Sequence, residues 1–263
     1  RDPDPALGHL CAVAGPRGRG TGDAAGAGLG RHRHRGGAGI RMAGPADAGA
    51  ALMLEVAFRH DFPDRALDVA FQAPGGVTAL FGPSGCGKTT TINVIAGLMR
   101  PQQGRVALDE RVLFDAATNL PPQARRIGYV FQDARLFPHL SVRDNLSFGL
   151  RFHAAQHPLA APNVDDVADL LDIGSLLHRR PAHLSGGEKQ RISIARAILK
   201  DTPIIILDEA TTGFDTESRT YLHEMITSQM KEKTVLLITH HYEELDGFDK
   251  IYRLENGYLF PVK

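Results

Sequence analysis

The sequence has few cysteines, carries no net charge and lacks a long apolar run. Its two cysteines, Cys11 and Cys86, lie far apart in dissimilar surroundings, so neither a disulfide framework nor a zinc cluster is expected. The 30 Lys and Arg residues balance 30 Asp and Glu residues, which excludes the basic footprint of a protein that coats nucleic acid. Gly, Pro or charged residues interrupt each apolar run well before the roughly 18 residues of a membrane-spanning helix. With 43% hydrophobic residues in 263, the chain is expected to form a globular core in a reducing compartment.

Residues 1–52 form a segment of different composition, dominated by Gly, Ala, Pro and Arg. Almost no periodic apolar pattern occurs in this segment, so it is predicted to be unstructured. The basic run RHRHRGG at 31–37 would suit a targeting peptide or a polyanion-binding arm, although the apolar centre of a secretory signal is missing. The preferred interpretation is a disordered or non-native leader, because ordered patterning starts at Met53. An ordered domain over residues 53–263 is therefore expected.

Apolar patterning beyond Met53 predicts an α/β fold. Alternating Leu54, Val56 and Phe58 predict a half-buried strand and the pattern returns at 67–71, so two antiparallel strands are expected. Continuous apolar runs predict core strands of a largely parallel sheet at 77–81, 127–131, 204–207 and 235–239. Helical patterns occur at about 88–98, 164–171, 187–199 and 216–230. The order of strand, Gly-rich turn and helix after residue 76 is that of a nucleotide-binding fold.

A second change of composition lies near residue 184. One Lys and nineteen Arg precede it, whereas six Lys and four Arg follow it, together with more Ile. Surface charge within a single domain seldom changes so abruptly, which raises the hypothesis that the chain joins segments from two backgrounds. The motifs described next lie on both sides of this change, and their order along the chain is compatible with a single nucleotide-binding domain.

Residues 82–89, GPSGCGKT, match the phosphate-binding loop pattern GxxxxGK[ST]. Glycines let the backbone curl around a phosphate chain, and the following helix directs its positive end to the same place. Lys88 is expected to reach the β and γ phosphates, and Thr89 to contribute a hydroxyl to Mg²⁺. The predicted nucleotide contacts of this segment are Gly82, Pro83, Ser84, Gly85, Cys86, Gly87, Lys88, Thr89 and Thr90.

A second strand ends in two carboxylates, in the run IIILDE at 204–209. Side chains at adjacent positions of a strand diverge, so the two acids can serve different purposes. Asp208 is predicted to support Mg²⁺, directly or through water, and Glu209 to act as the general base that orients the attacking water. Many strands end in acidic turns, so this pattern alone is weak evidence. Its position, 120 residues after Lys88 of the phosphate loop, favours the predicted roles of the two acids.

The segment LSGGEKQR at 184–191 resembles the signature motif of ATP-binding cassette (ABC) proteins. Physically, Ser185 precedes a helix whose N-terminus can receive a phosphate. The resemblance covers the whole ordered domain and implies a P-loop NTPase core with an antiparallel β edge and an inserted helical subdomain at about 133–190. It further implies that Ser185, Gly186 and Gly187 face the γ-phosphate bound by a second copy, so that a homodimer sandwiches two ATP molecules.

Other family landmarks fall on single positions. By resemblance, Gln132 is the glutamine that senses Mg²⁺ and the attacking water and links the core to the helical subdomain. Asp215, seven residues beyond Asp208, is the residue that communicates across the dimer. His240, after the strand VLLIT, is the switch histidine that contacts the γ-phosphate, with His241 as the alternative. The implied catalytic residues are Glu209, His240 and Gln132, and the implied metal-supporting residues are Thr89, Gln132 and Asp208.

An aromatic side chain that stacks on adenine precedes the phosphate loop in this family. Phe62, 20 residues before Gly82, is the predicted stacking residue, and Phe58 is the alternative. Either ring would serve equally well as a core residue, so both roles stay open at this point. ATP and Mg²⁺ are the cofactors that the resemblance implies.

Residues 128–150 and the segment MLEV at 53–56 are especially similar to the ATP-binding subunit of bacterial molybdate importers. This similarity implies a peripheral subunit at the cytoplasmic face of the bacterial inner membrane. Its partners would be membrane permease subunits and, indirectly, a periplasmic solute-binding protein, and ATP hydrolysis would energise molybdate import. Apolar Leu136, Phe137 and Leu140 would either present a surface to the permease or fill the core of the helical subdomain.

The chain departs from the importer pattern at Ala210 and Phe214, where Pro and Leu are usual. The bulky ring of Phe214 is expected to need space at the dimer interface. The run DEAT at 208–211 is more typical of exporter cassettes, which leaves an exporter domain as one alternative. A non-transport ABC ATPase is another, but the long coiled coils or second cassette of that class are not found in the sequence. No nucleic-acid partner is expected at zero net charge.

Overall fold

The computed structural model describes residues 52–150, 163–211, 214–240 and 245–263. The predicted leader up to residue 51 and the alternative switch residue His241 lie outside the described residues. The strands of the described part are β1 Leu54–Asp61, β2 Ala66–Ala73, β3 Gly76–Phe81, β4 Gln103–Leu108, β5 Arg111–Phe114, β6 Ile127–Val130, β7 Ile204–Asp208, β8 Thr234–Thr239, β9 Lys250–Glu255 and β10 Tyr258–Pro261. They form one sheet in the order β5-β4-β1-β2-β10-β9-β3-β8-β7-β6.

Helices accompany this sheet on both faces. Their bounds in the described ranges are α1 Lys88–Ala96, α2 Val142–Ser147, α3 Val164–Leu170, α4 Gly186–Leu199 and α5 Thr216–Gln229. Short 3₁₀ turns occur at Pro122–Ala124, Gly174–Leu176 and Pro181–His183. Within the described ranges, every helix is too short or too polar to cross a membrane.

The antiparallel edge that the sequence predicts is present. β1 pairs with β2 along its whole length, from Leu54 opposite Ala73 to Asp61 opposite Ala66, and its other side pairs with β4. Buried and exposed residues alternate along β2, as expected when one face of a sheet covers a core. The hairpin of β4 and β5 was not predicted and extends this edge by two further strands.

The other half of the sheet carries the parallel core strands. β3 runs parallel to β8 and β9, and β7 runs parallel to β6 and β8. Alternate residues of these strands enter two different apolar clusters: Val235 and Leu237 of β8 face the cluster that includes α4 and α5, whereas Leu236 and Ile238 face the cluster around α1. Burial on both faces explains the continuous apolar runs, and the predicted α/β class is confirmed.

Strands from both sides of residue 184 share this sheet. β9 and β10 come last in the chain but lie between β2 and β3, and β7 lies between β8 and β6. The change of composition therefore does not coincide with a boundary in the sheet.

The end of α1 is held by a buried cation. Arg125 is 1% exposed, and its guanidinium donates to the carbonyls of Val94 and Ile95 at 2.8 Å each, to the carbonyl of Leu120 at 2.8 Å and to Oδ1 of Asn119 at 2.9 Å. Burial lowers the pKa of Arg125, although a guanidinium keeps its proton in proteins. Because the last carbonyls of a helix lack internal partners and carry partial negative charge, this side chain fixes the helix that follows the phosphate loop.

Candidate nucleotide-binding and catalytic site

The phosphate loop connects the end of β3 to the start of α1, as its sequence predicts. Gly87 adopts a φ of 114° as the residue before α1, a conformation that side chains disfavour. A Cβ on Gly82 would overlap the carbonyl oxygen of Leu254 in β9, so only glycine lets the loop lie this close to its neighbour. By contrast, the space around Gly85 is open. The chain therefore forms a tight backbone curl whose tip is accessible.

Lys88 closes this curl from inside. Its side chain is 6% exposed, and Nζ donates to the carbonyl oxygens of Gly82 at 2.7 Å and Pro83 at 3.0 Å. Thr89 is exposed, whereas the hydroxyl of Thr91 donates to the carbonyl of Gly87 at 3.0 Å and closes the first turn of α1. A buried ammonium and an exposed hydroxyl thus stand side by side where the sequence places the phosphate and metal contacts.

Asp208 ends β7 in a buried position beside two other strands and α1. It is 6% exposed, and its Oδ2 lies 3.3 Å from the hydroxyl of Tyr129, which is also 3.2 Å from Oδ1 of Asn93. Burial raises the pKa of Asp208 against the opposing effect of the Tyr129 hydrogen bond, and the charge of Glu209 adds to the rise. Burial and the Asp208 carboxylate raise the pKa of Tyr129, so its phenol keeps its proton and acts as the donor.

Glu209 brings the predicted catalytic residues together. Nε2 of Gln132 donates to Glu209 Oε2 at 3.1 Å, and Nδ1 of His240 lies 3.6 Å from Glu209 Oε1. Glu209 adopts a φ of 48°, which is uncommon for a side chain of this size and recurs at functional sites. Its backbone N–H donates to the carbonyl of Ile238 at 3.1 Å, which anchors this conformation to β8. Three side chains that are remote in sequence therefore meet beyond the ends of β6, β7 and β8.

The two candidate adenine-stacking residues occupy different environments. Phe58 is 3% exposed within the core cluster around α1, which leaves no free ring face for a base. Phe62 is partly buried in the turn after β1, and the guanidinium of Arg65 lies 5.1 Å from the centre of its ring. Arg65 also donates to the carbonyl of Gly85, so the turn that carries Phe62 touches the phosphate loop. Of the two rings, that of Phe62 is partly accessible and lies in a turn that touches the phosphate loop.

The signature segment forms a capped helix start. Ser185 Oγ accepts from the N–H of Glu188 at 3.2 Å, and Glu188 Oε2 accepts from the N–H of Ser185 at 2.7 Å. The hydrogen bond from the Ser185 backbone lowers the pKa of Glu188. Ser185 and Gly186 are exposed and Gly187 is partly buried, and the space beside Gly186 is open. The N-terminus of the 14-residue helix α4 is therefore accessible.

Asp215, the residue predicted to communicate across the dimer, caps the start of α5. Its Oδ1 accepts from the N–H of Ser218 at 2.7 Å at the start of α5, and this bond lowers the pKa of Asp215. Phe214 does not occupy the expected interface position: it is 9% exposed and packs into the chain's own core, as does Ala210 at 0%. The expectation of a bulky interface ring was wrong because the side chain turns inward beneath the cap.

A cavity of about 410 Å³ lies between β6, α4 and the end of α2. Its wall includes aromatic Tyr129, Phe131 and Phe148 and cationic Arg135, Arg196 and Lys200, while none of the described residues that line it is acidic. Nζ of Lys200 donates to the carbonyl of Ile127 at 2.8 Å, and burial lowers the pKa values of both Arg196 and Lys200. This wall is positively charged and partly desolvated.

The segment before α2 is tied down beside this cavity. Asn145 is 0% exposed, and its amide bonds to the N–H of Phe137 at 2.8 Å and to the carbonyls of Phe137 at 3.1 Å and Ser141 at 2.9 Å. The Phe137 ring lies 4.4 Å from that of Phe148 and beneath Arg196. Leu136, Phe137 and Leu140 are all partly buried, so neither of their two predicted roles is excluded.

The oxygen donors at this site suit Mg²⁺. The described residues contain no group of three or more His, Cys, Asp or Glu side chains that could cage an ion. Mg²⁺ is usually bound by one or two protein oxygens, water and substrate phosphates, and Asp208 and Thr89 supply oxygens of this kind. The residues present therefore fit a magnesium ion that is bound together with a nucleotide.

Three residues of the site have no motif to reveal them in the sequence. Tyr129 lies between Gly128 and Val130 of a strand whose apolar character dominates, and Asn93 lies inside α1. Arg65 follows a turn of ordinary composition. Tyr129 precedes Gln132 by three positions, and that proximity is the one signal that could have marked it.

Residues 67–212 match the ABC transporter family. The chain is 54% identical over 156 residues to the molybdenum import ATP-binding protein ModC of Rhodospirillum rubrum, which covers 58% of this chain and 41% of that protein. It is 45% identical over 197 residues to ModC of Paramagnetospirillum magneticum, which covers 73% of this chain and 54% of that protein. The chain spans about half the length of the curated relatives it matches.

Two solved structures share the fold. A bacterial Atm1-family ABC exporter with ATP bound gives a TM-score of 0.67 at 26% identity, over 84% of this chain and 40% of that chain. A dimeric post-hydrolysis state of an ATP-binding cassette bound to ADP and Pi gives 0.65 at 25% identity, over 81% of this chain and 99% of that chain. The predicted resemblance and P-loop NTPase class are confirmed. Because the family match covers more than half of the chain, the chain belongs to the ABC transporter family.

Proposed function

We propose that this chain is the ATP-binding and ATP-hydrolysing subunit of an ABC importer that energises uptake of molybdate through a membrane permease. The observation that carries the ATPase proposal is the meeting of Gln132, Glu209 and His240 beyond the ends of three adjacent strands. The similarity to ModC, a molybdenum import ATP-binding protein, supports both the importer role and the choice of solute. A peripheral position at the cytoplasmic face of the bacterial inner membrane accompanies this role.

Nucleotide binding rests on the phosphate loop. Its backbone and the Lys88 ammonium would take the phosphates, since both lie in the curl between Gly82 and α1. The Phe62 ring, in the turn that touches Gly85 through Arg65, would stack on the base. Thr89 and Asp208 would hold Mg²⁺, which when bound neutralises part of the phosphate charge.

Hydrolysis rests on positioning and charge stabilisation. Glu209 would accept a proton from the attacking water, and Gln132, 3.1 Å away, would fix the orientation of its carboxylate. His240 would contact the γ-phosphate, because its ring lies on the other side of the same carboxylate at 3.6 Å. Covalent catalysis has no role in this scheme, since the water itself is the nucleophile.

A homodimer would complete each site. The accessible N-terminus of α4, with Ser185, Gly186 and Gly187, would contact the γ-phosphate held by a second copy. Asp215 would transmit the state of one site to the other from the cap of α5. The dimeric cassette bound to ADP and Pi, which this chain resembles over 81% of its length, supports such an assembly.

The cavity beside β6 is the proposed contact of the permease. Its aromatic and cationic wall favours a permease segment with apolar side chains and an acidic residue, which would restore the solvation that Arg196 and Lys200 lose. Phe131 and Arg135 line the cavity and flank Gln132 in sequence, so a docked segment would lie next to the catalytic cluster. A periplasmic solute-binding protein would act indirectly, through the permease.

The ATPase proposal is tested by Glu209→Gln, with the exposed Glu110→Gln as the matched control. The amide keeps the size of the side chain but cannot accept the proton, so phosphate release should fall by about 10²- to 10⁴-fold. Binding of a fluorescent ATP analogue should stay within about twofold, because the phosphate loop is untouched. Full turnover by the Glu209→Gln protein would refute the general-base role.

An exporter cassette is the second candidate, favoured by the run DEAT at 208–211 and by the similarity to an Atm1-family exporter. Uptake separates the two functions. The chain should restore radiolabelled molybdate uptake to bacteria that keep the cognate permease but lack their molybdate ATPase subunit, and Glu209→Gln should not. An exporter cassette would restore nothing, whether or not it hydrolyses ATP.

A further inference from the structure

The hydroxyl of Tyr129 is shared between two acceptors. It lies 3.3 Å from Oδ2 of Asp208 and 3.2 Å from Oδ1 of Asn93, yet a phenol carries a single proton to donate. A half-turn of the Asn93 amide would direct an N–H at the phenol oxygen, so that Asn93 donates to Tyr129 while Tyr129 donates to Asp208. In that arrangement both short contacts of the phenol oxygen are hydrogen bonds.

These three residues belong to the three segments that would handle the nucleotide. Asn93 is in α1, five positions after Lys88. Asp208 ends β7, and Tyr129 is in β6, three positions before Gln132. One hydroxyl therefore joins the loop helix, the metal-supporting carboxylate and the strand that leads to the glutamine.

The ring of Tyr129 is held firmly enough to fix that hydroxyl. It stacks on Phe131 with ring centres 4.0 Å apart and an angle of 23° between the planes. Arg135 lies 3.9 Å from the centre of the Phe131 ring, and Nε2 of Gln190 donates to the Phe131 carbonyl at 3.1 Å. Both the ring and its support are thus fixed by neighbours other than Asp208.

We propose that Tyr129 is a positioning residue whose hydroxyl fixes the orientation of the Asp208 carboxylate for Mg²⁺. The terminal torsion of an aspartate has a broad energy minimum, so an unbonded carboxylate would turn freely. A hydrogen bond to Oδ2 removes that freedom and leaves the other oxygen for the metal or its water. The inference rests on the proposed function, in which Asp208 and Thr89 both support a Mg²⁺ ion that is bound with the nucleotide.

The test uses Tyr129→Phe, which removes the hydroxyl and keeps the ring that stacks on Phe131. Tyr252→Phe is the matched control, since its hydroxyl donates at 3.0 Å to the carbonyl of Gln72, which is not among the predicted nucleotide or metal contacts. The full chain is melted with ADP at increasing Mg²⁺, and the Mg²⁺ concentration that gives half of the metal-dependent rise in Tm is recorded. Loss of a partner that orients a metal ligand typically costs about 10- to 100-fold in metal affinity.

We expect the Mg²⁺ midpoint to rise about tenfold or more in Tyr129→Phe and to stay unchanged in Tyr252→Phe. Affinity for ADP in EDTA should be equal in both variants and the parent protein, because the phosphate loop is intact. An unchanged Mg²⁺ midpoint in Tyr129→Phe would overturn the proposal. A purely structural role would instead lower Tm equally with and without metal, which would overturn it as well.

Asn93→Ala provides an independent check that does not depend on the stability of Tyr129→Phe. It leaves the bond from Tyr129 to Asp208 in place, so its Mg²⁺ midpoint should stay within about twofold of the parent. A tenfold rise would assign the positioning role to Asn93 and overturn the proposal for Tyr129. If the parent protein shows no effect of Mg²⁺ with ADP at all, the proposed ATPase function fails instead.

Discussion

Arg125 provides the sharpest test of how the helix after the phosphate loop is held. Its guanidinium is 1% exposed and donates four hydrogen bonds: three to backbone carbonyls of Val94, Ile95 and Leu120, and one to the amide oxygen of Asn119. No carboxylate is among these four acceptors. Arg125→Ala would leave all of them without this donor and would open a cavity at the end of α1.

The magnitude follows from the hydrogen bonds and the desolvation of the charge. Hydrogen bonds to charged groups contribute at least about 1.5 kcal/mol each, so four give a gross loss of about 6 kcal/mol. Removing the guanidinium also relieves the cost of burying it, which is several kcal/mol. We therefore expect the free energy of unfolding to fall by about 3 kcal/mol and Tm by about 6 to 12 °C for a domain of this size.

Urea unfolding followed by circular dichroism measures this loss, with Arg105→Ala as the matched control. Arg105 forms an exposed ion pair with Glu55 at 2.8 Å, and such pairs contribute about 0 to 1 kcal/mol. If Arg125→Ala loses no more stability than Arg105→Ala, the buried guanidinium does not hold α1. In that case the contacts of the helix with the core cluster must suffice.

Three further changes test the site. Lys88→Met should abolish binding of a fluorescent ATP analogue without unfolding the chain, whereas exposed Lys231→Met should bind normally; equal binding by both would contradict the phosphate role of Lys88. Phe62→Ala should weaken binding by about tenfold and Phe62→Tyr should not, since base stacking contributes about 1 to 3 kcal/mol; equal affinities in a competition titration would exclude this ring. Gly82→Ala should lower Tm because its Cβ would overlap the Leu254 carbonyl, and an unchanged melting curve would show that the loop can shift.

The three predicted catalytic residues meet because they follow strands of one parallel sheet. The motifs place Gln132, Glu209 and His240 just after β6, β7 and β8, and the carboxyl ends of neighbouring parallel strands meet at one edge. Parallel direction follows from the continuous apolar runs of these strands. The resemblance to ABC proteins implied the three positions, and the parallel pairing of the strands explains why their side chains converge.

The supporting residues could not be predicted, because their partners are distant in sequence and follow no period. Arg125 bonds to Val94, 31 positions earlier, and Tyr129 bonds to Asp208, 79 positions later. The order of strands was equally hidden, since β9 and β10 insert between β2 and β3 only through pairing across the whole chain. Phe214 was wrongly expected at the dimer interface. The residue before a helix cap can point either outward or into the core, and the sequence does not distinguish the two.

The contacts of Lys88 make loading of the phosphate loop an exchange reaction. Its ammonium already donates to the carbonyls of Gly82 and Pro83, so an incoming phosphate competes with bonds that exist before it arrives. Measured nucleotide affinity then reports the difference between two sets of partners, and it understates the strength of the lysine–phosphate contact. The two released carbonyls would accept hydrogen bonds from other donors. Hydrogen exchange at the neighbouring amides should therefore change when the nucleotide binds, even at amides that the nucleotide does not touch.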